Sequence, residues 1–254
     1  MIFLFMQILI GQLPPKLDWH KSFNGTGEES HPHYVIQTRD LGFLMVGETG
    51  FVEDRSAKIF VVKTDSGGRL LWQREFGKSG YNLGNSVAEA NDGNYLVAGT
   101  LNFDAALIKV DAKTGKTIWS KTWDFGSEDS FEGLTLSNDG GIVLTGYRDG
   151  LAEGTFLNWG RGLVLKANEY GQEEWRRDLS GFASSGYRIQ QSGTGFILCV
   201  HPKDEESEEQ VNRPFDIAQD MQKYGLIGSM ARVDEILGIL EEASRILKED
   251  GYGT

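Results

Sequence analysis

The sequence predicts an all-β chain assembled from repeated four-stranded antiparallel units. Composition is the first observation behind this: among 254 residues there are 33 Gly and 5 Pro, and 11% are aromatic, a mixture suited to many short strands joined by tight turns. The second is a recurring module. IFVVKTDSGGRLLWQREFG (59–77), ALIKVDAKTGKTIWSKTWDFG (106–126) and LVLKANEYGQEEWRRDLSG (163–181) each carry an apolar run ending in Lys63, Lys109 or Lys166. Asp65, Asp111 or Asn168 follows, then Gly68, Gly115 or Gly171 four residues before Trp72, Trp119 or Trp175. The third is an interleaved module, DLGFLMVG (40–47), DGNYLVAG (92–99) and DGGIVLTG (139–146), with GTGFILCV (193–200) as a copy that has lost both end residues.

Each unit resolves into strands in order. VIQTR (35–39), SVAEA (86–90) and GLTLS (133–137) form the first strand. Asp-Gly pairs then supply the left-handed backbone of a two-residue hairpin. FLMVG, YLVAG and IVLTG form a second strand, apolar on both faces because both are covered. The Lys-ended runs form the third. The Asp and Gly-x-x-x-Trp turn leads into the fourth, whose indole is expected to pack against the neighbouring unit.

Units of about 50 residues with four antiparallel strands predict a β-propeller. At DAKTGKTIWSK (111–121) the chain resembles the pyrroloquinoline-quinone-type (quinoprotein-like) propeller repeat, in which an Asp, a Thr-Gly turn and a Trp mark each blade. The resemblance spans roughly residues 17 to 200. It implies a propeller, and among its noncatalytic members a scaffold without cofactor; none of the quinone enzymes' active-site residues can be matched here. Complete blades are expected at about 33–77, 86–125 and 132–180, with a partial blade from 187–200 joined by residues 17–23. That leaves open edges able to pair with another chain.

Flanking segments read differently. Residues 1–16, beginning MIFLFMQILIG, resemble the apolar part of a signal or leader but lack a basic start, and ten apolar residues are too short to span a bilayer. Residues 201–254 open on an acidic linker (Asp204, Glu205, Glu206, Glu208, Glu209) and continue as amphipathic helices, one carrying Val233, Ile236, Leu240 and Leu247 on a stripe. Three accounts fit this tail: a cover for the open propeller edge, a partner-binding helix, or a segment foreign to the propeller through fusion or frame shift, which the mid-blade break suits. Cys199, the one cysteine, lies in an apolar run and reads as a buried thiol.

The net charge of −12 argues against nucleic acid or an anionic membrane as partner. No nucleophile elbow, phosphate loop or zinc-protease pattern occurs. His31 and His33, with Glu28 or Glu29, form the nearest approach to a metal set, and the reading adopted is a plain loop with no metal. Length variation gives the functional hint. From second-strand Gly to third-strand Lys the chain runs 16, 10 and 20 residues in successive blades, so one loop class holds nearly all the variation. Variable loops on a constant scaffold are where binding usually resides. Tyr147, Arg148, Phe156, Trp159 and Arg161 in the longest, with Asp54 and Arg55 in the first, are the candidate contacts. The expectation is a noncatalytic, exported propeller-repeat protein binding a protein or glycan. The alternatives are a cofactor-dependent enzyme fragment and a truncated unit that oligomerises.

Overall fold

A computed structural model describes residues 19–51, 55–150 and 160–202. Three sheets of four antiparallel strands follow one another in simple meander order. The first contains β1 (Ser30–Gln37), β2 (Phe43–Thr49), β3 (Ala57–Thr64) and β4 (Leu70–Gly80). The second contains β5 (Asn82–Glu89), β6 (Tyr95–Leu101), β7 (Asp104–Val110) and β8 (Thr117–Trp123). The third contains β9 (Ser130–Leu136), β10 (Ile142–Arg148), β11 (Arg161–Ala167) and β12 (Glu173–Asp178). A two-stranded sheet, β13 (Ala183–Ser192) and β14 (Gly195–Pro202), completes the described chain.

The sheets stack face to face in sequence. β5 lies across β1, β2 and β3; β9 lies across β5, β6 and β7; β13 lies across β9, β10 and β11. Each first strand is thus driven into the face of the preceding sheet, while the fourth strands β8 and β12 stay largely exposed. Three apolar clusters separate the layers. Leu44, Val46, Ile59 and Val61 meet Val87, Tyr95, Val97 and Ile108. Leu96, Ala98 and Leu107 meet Leu134, Leu144 and Leu165. Val143 and Val164 meet Ile189 and Leu198. This is a β-propeller arc of three full blades and a half blade, held by burial between sheets.

The repeated residues now have physical reasons. Trp72 is 6% exposed, donates Nε1–H to the Ala112 carbonyl at 2.9 Å, and lies over Gly115 of the next blade, where a Cβ would stand 2.6 Å from its Cε3. Trp119 covers Gly171 in the same way, and Trp19 covers Gly68. All three glycines have positive φ, so they serve both the turn and the indole above it. Trp119 is only partly buried and Trp175 is 37% exposed, so burial of the fourth-strand indole is complete in the first blade alone.

Asp65, Asp111 and Asn168 organise the same turns by accepting backbone N–H groups: Oδ1 of Asp65 from Gly67 and Arg69, of Asp111 from Thr114, of Asn168 from Tyr170 and Gln172. Only an acceptor oxygen is required, which is why Asn replaces Asp in the third blade. The Lys ending each third strand pairs with the Asp opening the neighbouring hairpin: Lys63 with Asp40 at 2.9 Å, Lys109 with Asp92 at 2.8 Å, and Lys166 with Asp139.

Those hairpins correct one expectation. The loops have three residues, not two: Thr38 N–H bonds Gly42 O and Leu41 N–H bonds Thr38 O, and Ala90/Asn94 and Ser137/Gly141 repeat the pattern. A type I turn followed by one left-handed residue gives this geometry. Leu41 takes that place, at φ 65, where the other blades have Gly93 and Gly140. The two-residue turn with two positive φ values occurs instead at Asn102-Phe103, between second and third strands.

Further differences concern the ends. The last sheet runs to Pro202, two residues past the expected boundary at 200. Residues 19–23 do not join it but lie against the first sheet. Cys199 is exposed rather than buried, because it occupies the outward side of β14, which no sheet covers. The leader and the amphipathic helices lie outside the described residues. Among the described residues there is no helix long and apolar enough to cross a membrane.

Candidate functional site

The first strand of every blade is bulged near its start. In β1 the register passes from Pro32↔Gly47 to Tyr34↔Val46 and skips His33. In β5 it skips Asn85, and in β9 it skips Glu132. A bulge re-aims its extra side chain, and these three meet one another between blades. His33 Nδ1 lies 3.0 Å from Asn85 Oδ1, and Asn85 Nδ2 donates to Glu132 Oε1 at 3.0 Å and lies 3.0 Å from Ser130 Oγ. From β13, which skips Tyr187, Arg188 Nη1 donates to the Glu132 carbonyl at 2.7 Å while its guanidinium lies 4.9 Å from the Tyr34 ring centre. A polar network therefore links all four first strands.

The closing glycines of the second strands make room for it. A Cβ on Gly47, Gly99 or Gly146 would stand 1.8, 1.9 and 1.9 Å from the carbonyl oxygens of His31, Leu83 and Ser130. The strands can approach so closely only without a side chain there.

Proton positions follow from the partners. Asn85 cannot be flipped, since its Nδ2 faces a carboxylate and the Phe131 carbonyl, both acceptors. Its Oδ1 thus accepts a hydrogen bond from His33 Nδ1–H. His33 Nε2 lies 3.1 Å from the buried Glu48 Oε2, within ion-pair distance, and that oxygen accepts no aligned hydrogen bond. Both ring nitrogens thus face oxygen atoms, an arrangement that favours the imidazolium over the neutral ring. His31 likewise lies between two carboxylates, Glu48 at 3.2 Å and Glu29 at 2.9 Å. The histidines expected in a loop are thus strand residues clasping one carboxylate. Among the described residues no three His, Cys, Asp or Glu side chains converge as metal ligands.

The electrostatics agree with the geometry. The Glu48 hydrogen bond raises the His33 pKa above 6.5 by more than burial lowers it, and the Glu29 hydrogen bond raises that of His31. Burial pushes the Glu132 carboxyl up against the hydrogen bond from Ser130 and the fields of His33 and Arg188. At the hairpins, partial burial pushes Asp40 up but the Thr38 hydroxyl, Lys63 and Gly42 N–H outweigh it, holding it at about 2. Asp92 is lowered despite its burial, and the Lys166 hydrogen bond lowers Asp139.

A histidine raised by folding contributes stability below its unfolded value near 6.5 and loses it as pH rises through the folded value; a raised carboxyl acts in the same direction. The lowered aspartates contribute above their unfolded value of 3.8 and lose it as pH falls toward their folded values. Thermal stability is therefore expected to peak between about pH 4 and 6.5 and to fall toward pH 8. His33→Gln should flatten the alkaline limb and leave the acid limb in place. Melting curves at several pH values check this, and an unchanged alkaline slope would refute a raised His33 pKa.

Above this network, second-to-third-strand loops meet the connections between blades. Arg55 lies 5.2 Å from the centre of the Phe103 ring, which stacks on Tyr81 at 5.1 Å. Asp129 accepts from the Asp149 N–H, and Glu128 O from the Gly150 N–H. The expected contacts separate here. Tyr147 is 1% exposed with its hydroxyl donating to Glu128 Oε1 at 2.8 Å, which leaves it no surface to offer a ligand. Arg148 is held by Asp149 at 2.7 Å and by Asp178. Arg161, exposed, lies 3.6 Å from Asp149 and is open to solvent, as Arg55 is beside Phe103. Asp54, Phe156 and Trp159 lie outside the described residues.

No family model and no curated protein matches this chain. Among solved structures it is similar to hydrazine synthase of Kuenenia stuttgartiensis, with 14% identity and a TM-score of 0.39 over 63% of this chain and 39% of that one. It is similar also to a protein from Lactobacillus plantarum (18% identity, TM-score 0.37, 59% of this chain and 42% of that one). The Dos1 propeller gives 10% identity and a TM-score of 0.33 over 71% and 59% of the two chains. The chain thus spans less than two thirds of the length of each. The fold assignment rests on the chain's own sheet order.

Proposed function

We propose that this chain is a noncatalytic propeller-repeat protein of the pyrroloquinoline-quinone type, exported, which binds a protein or glycan through its second-to-third-strand loops. One observation carries this reading: the full blades keep the spacing of their other repeated marks to within one residue, while the chain between second-strand Gly and third-strand Lys runs 16, 10 and 20 residues. Arg55 and Arg161 sit in or beside those loops with accessible guanidinium groups, a residue type that anchors interfaces. The titratable groups of the axial network bond one another, the arrangement of a structural hub.

The test is an array of neutral and acidic oligosaccharides and of peptides, read by binding and by thermal shift. For a ligand so found, Trp159→Ala or Arg161→Glu should weaken binding about tenfold or more, some 1.4 kcal/mol, with little change in melting temperature. Unchanged binding with lowered stability would assign these residues to folding, and turnover of an array member would overturn the noncatalytic reading.

A further inference from the structure

Among the described residues, the two ends of the arc leave partly exposed several repeat positions that are buried between its blades. Aligned on the hairpin Asp and the third-strand Lys, Val35, Phe43, Met45 and Val62 of the first blade correspond to Val87, Tyr95, Val97 and Ile108 of the second. The latter four pack against Leu44 and Val46 of the preceding sheet. Val35 is 56% exposed where Val87 is 2%, and Phe43 and Met45 are half-buried where Tyr95 and Val97 are buried, while Val62, which lines the adjoining groove, is buried like Ile108. Among the described residues this face carries only the strip around Trp19–Asn24, which borders a groove of about 340 Å³ lined by Phe23, Met45, Phe60 and Val62. At the other end, GFILCV aligns Ile197 with Leu44 and Cys199 with Val46. Ile197 is 39% exposed and Cys199 is exposed, where Leu44 and Val46 are 0% and 1%. Tyr187, at 42%, adjoins them.

The strip is itself a blade fragment. Trp19 covers Gly68 and meets Phe43 edge-on at 5.7 Å, as Trp72 covers Gly115 and lies 6.3 Å from Tyr95. Gln73 donates to the Asn24 carbonyl, fastening the strip to β4. It occupies the place of a preceding blade's fourth strand, yet it pairs with neither strand of the two-stranded sheet in its own chain.

We propose that two copies of this chain associate head to tail, the first blade of one packing its Val35, Phe43, Met45 and Val62 face, with the Trp19–Asn24 strip, on the Tyr187, Ile197 and Cys199 face of the other. Each blade interface inside the chain is a template for this contact, and a second copy supplies both halves. Such an interface is heterologous, so it closes into a ring or extends as a polymer. It is separate from the loop face and stands independently of the binding reading above.

Sedimentation of the full chain across the micromolar range should show assemblies of twice the single-chain mass or more, and Ile197→Asp should return it to a monomer with unchanged circular dichroism and a melting temperature that no longer depends on concentration. Position 32 corresponds to Gly84, whose Cβ would stand 2.4 Å from Val46, so Pro32→Cys brings a thiol to Cys199 of the neighbouring copy. Mild oxidation of that variant should give a covalent dimer that disappears when Cys199→Ser is added. A wild-type monomer at all concentrations, a disulfide formed within one chain, or a Cys199–Cys199 dimer of the wild type would each overturn the proposal, the last by showing like faces meeting.

Discussion

Replacing Trp72 with Ala is expected to destabilise the chain by about 3–5 kcal/mol, the usual range for a large aromatic removed from a core. The indole is 6% exposed, sits on Gly115, and satisfies its one donor on Ala112 O. Truncation opens a cavity between two sheets, and the Ala112 carbonyl loses its partner. The same change at Trp119, partly buried over Gly171, should cost less, and at Trp175, 37% exposed, less than about 1 kcal/mol. Chemical denaturation of the three variants measures the series. Equal losses at all three would mean that the indoles act within their own strands rather than on the blade that follows.

Gly99→Ala is expected to cost more than about 3 kcal/mol, above the common range for overpacking. The added methyl would stand 1.9 Å from Leu83 O and 2.9 Å from Leu83 C, both backbone atoms, so no side chain can swing aside. Relief requires β5 to move away from β6, which undoes the bulge presenting Asn85 to His33. Loss of stability should therefore come with loss of the alkaline fall in melting temperature. Gly93→Ala is the control. Its φ is 81 but nothing lies within 4 Å of the new methyl, so it should cost only about 1–2 kcal/mol, the price of a left-handed L-residue. If Gly99→Ala cost no more than the control, close strand approach would not be the reason for glycine there.

The fold was legible because a blade repeats its demands. Trp72 and Trp119 each need a turn glycine beneath them in the next blade, so Gly-x-x-x-Trp recurs at fixed spacing although the partners belong to different copies. Lys63, Lys109 and Lys166 were visible as marks, but their pairing with Asp40, Asp92 and Asp139 was not, because it forms only when second and third strands lie side by side. The axial network left no repeated letter at all. A bulge dictates where a side chain points and not which one it is, and His33, Asn85 and Glu132 share no chemistry that self-comparison detects. One signal could have led to it: Gly47, Gly99 and Gly146 recur inside strands, where no turn needs them, and close backbone approach is the remaining reason.

The loop contacts divide on similar grounds. Tyr147 was grouped with the longest loop by position, but it follows Gly146 on β10 and turns inward to Glu128. Strand alternation decides this, and alternation can be read only once the strand's end is known.

Local chemistry written in the residue order determined the strand meander, the turn residues and the repeat, because each depends on neighbours within a few positions. Only the tertiary structure decided which indole is covered, which carboxylates the histidines meet and which repeat positions are exposed among the described residues. Those depend on what the adjoining sheet places within a few ångströms, and residues fifty apart in the chain meet only when sheets stack.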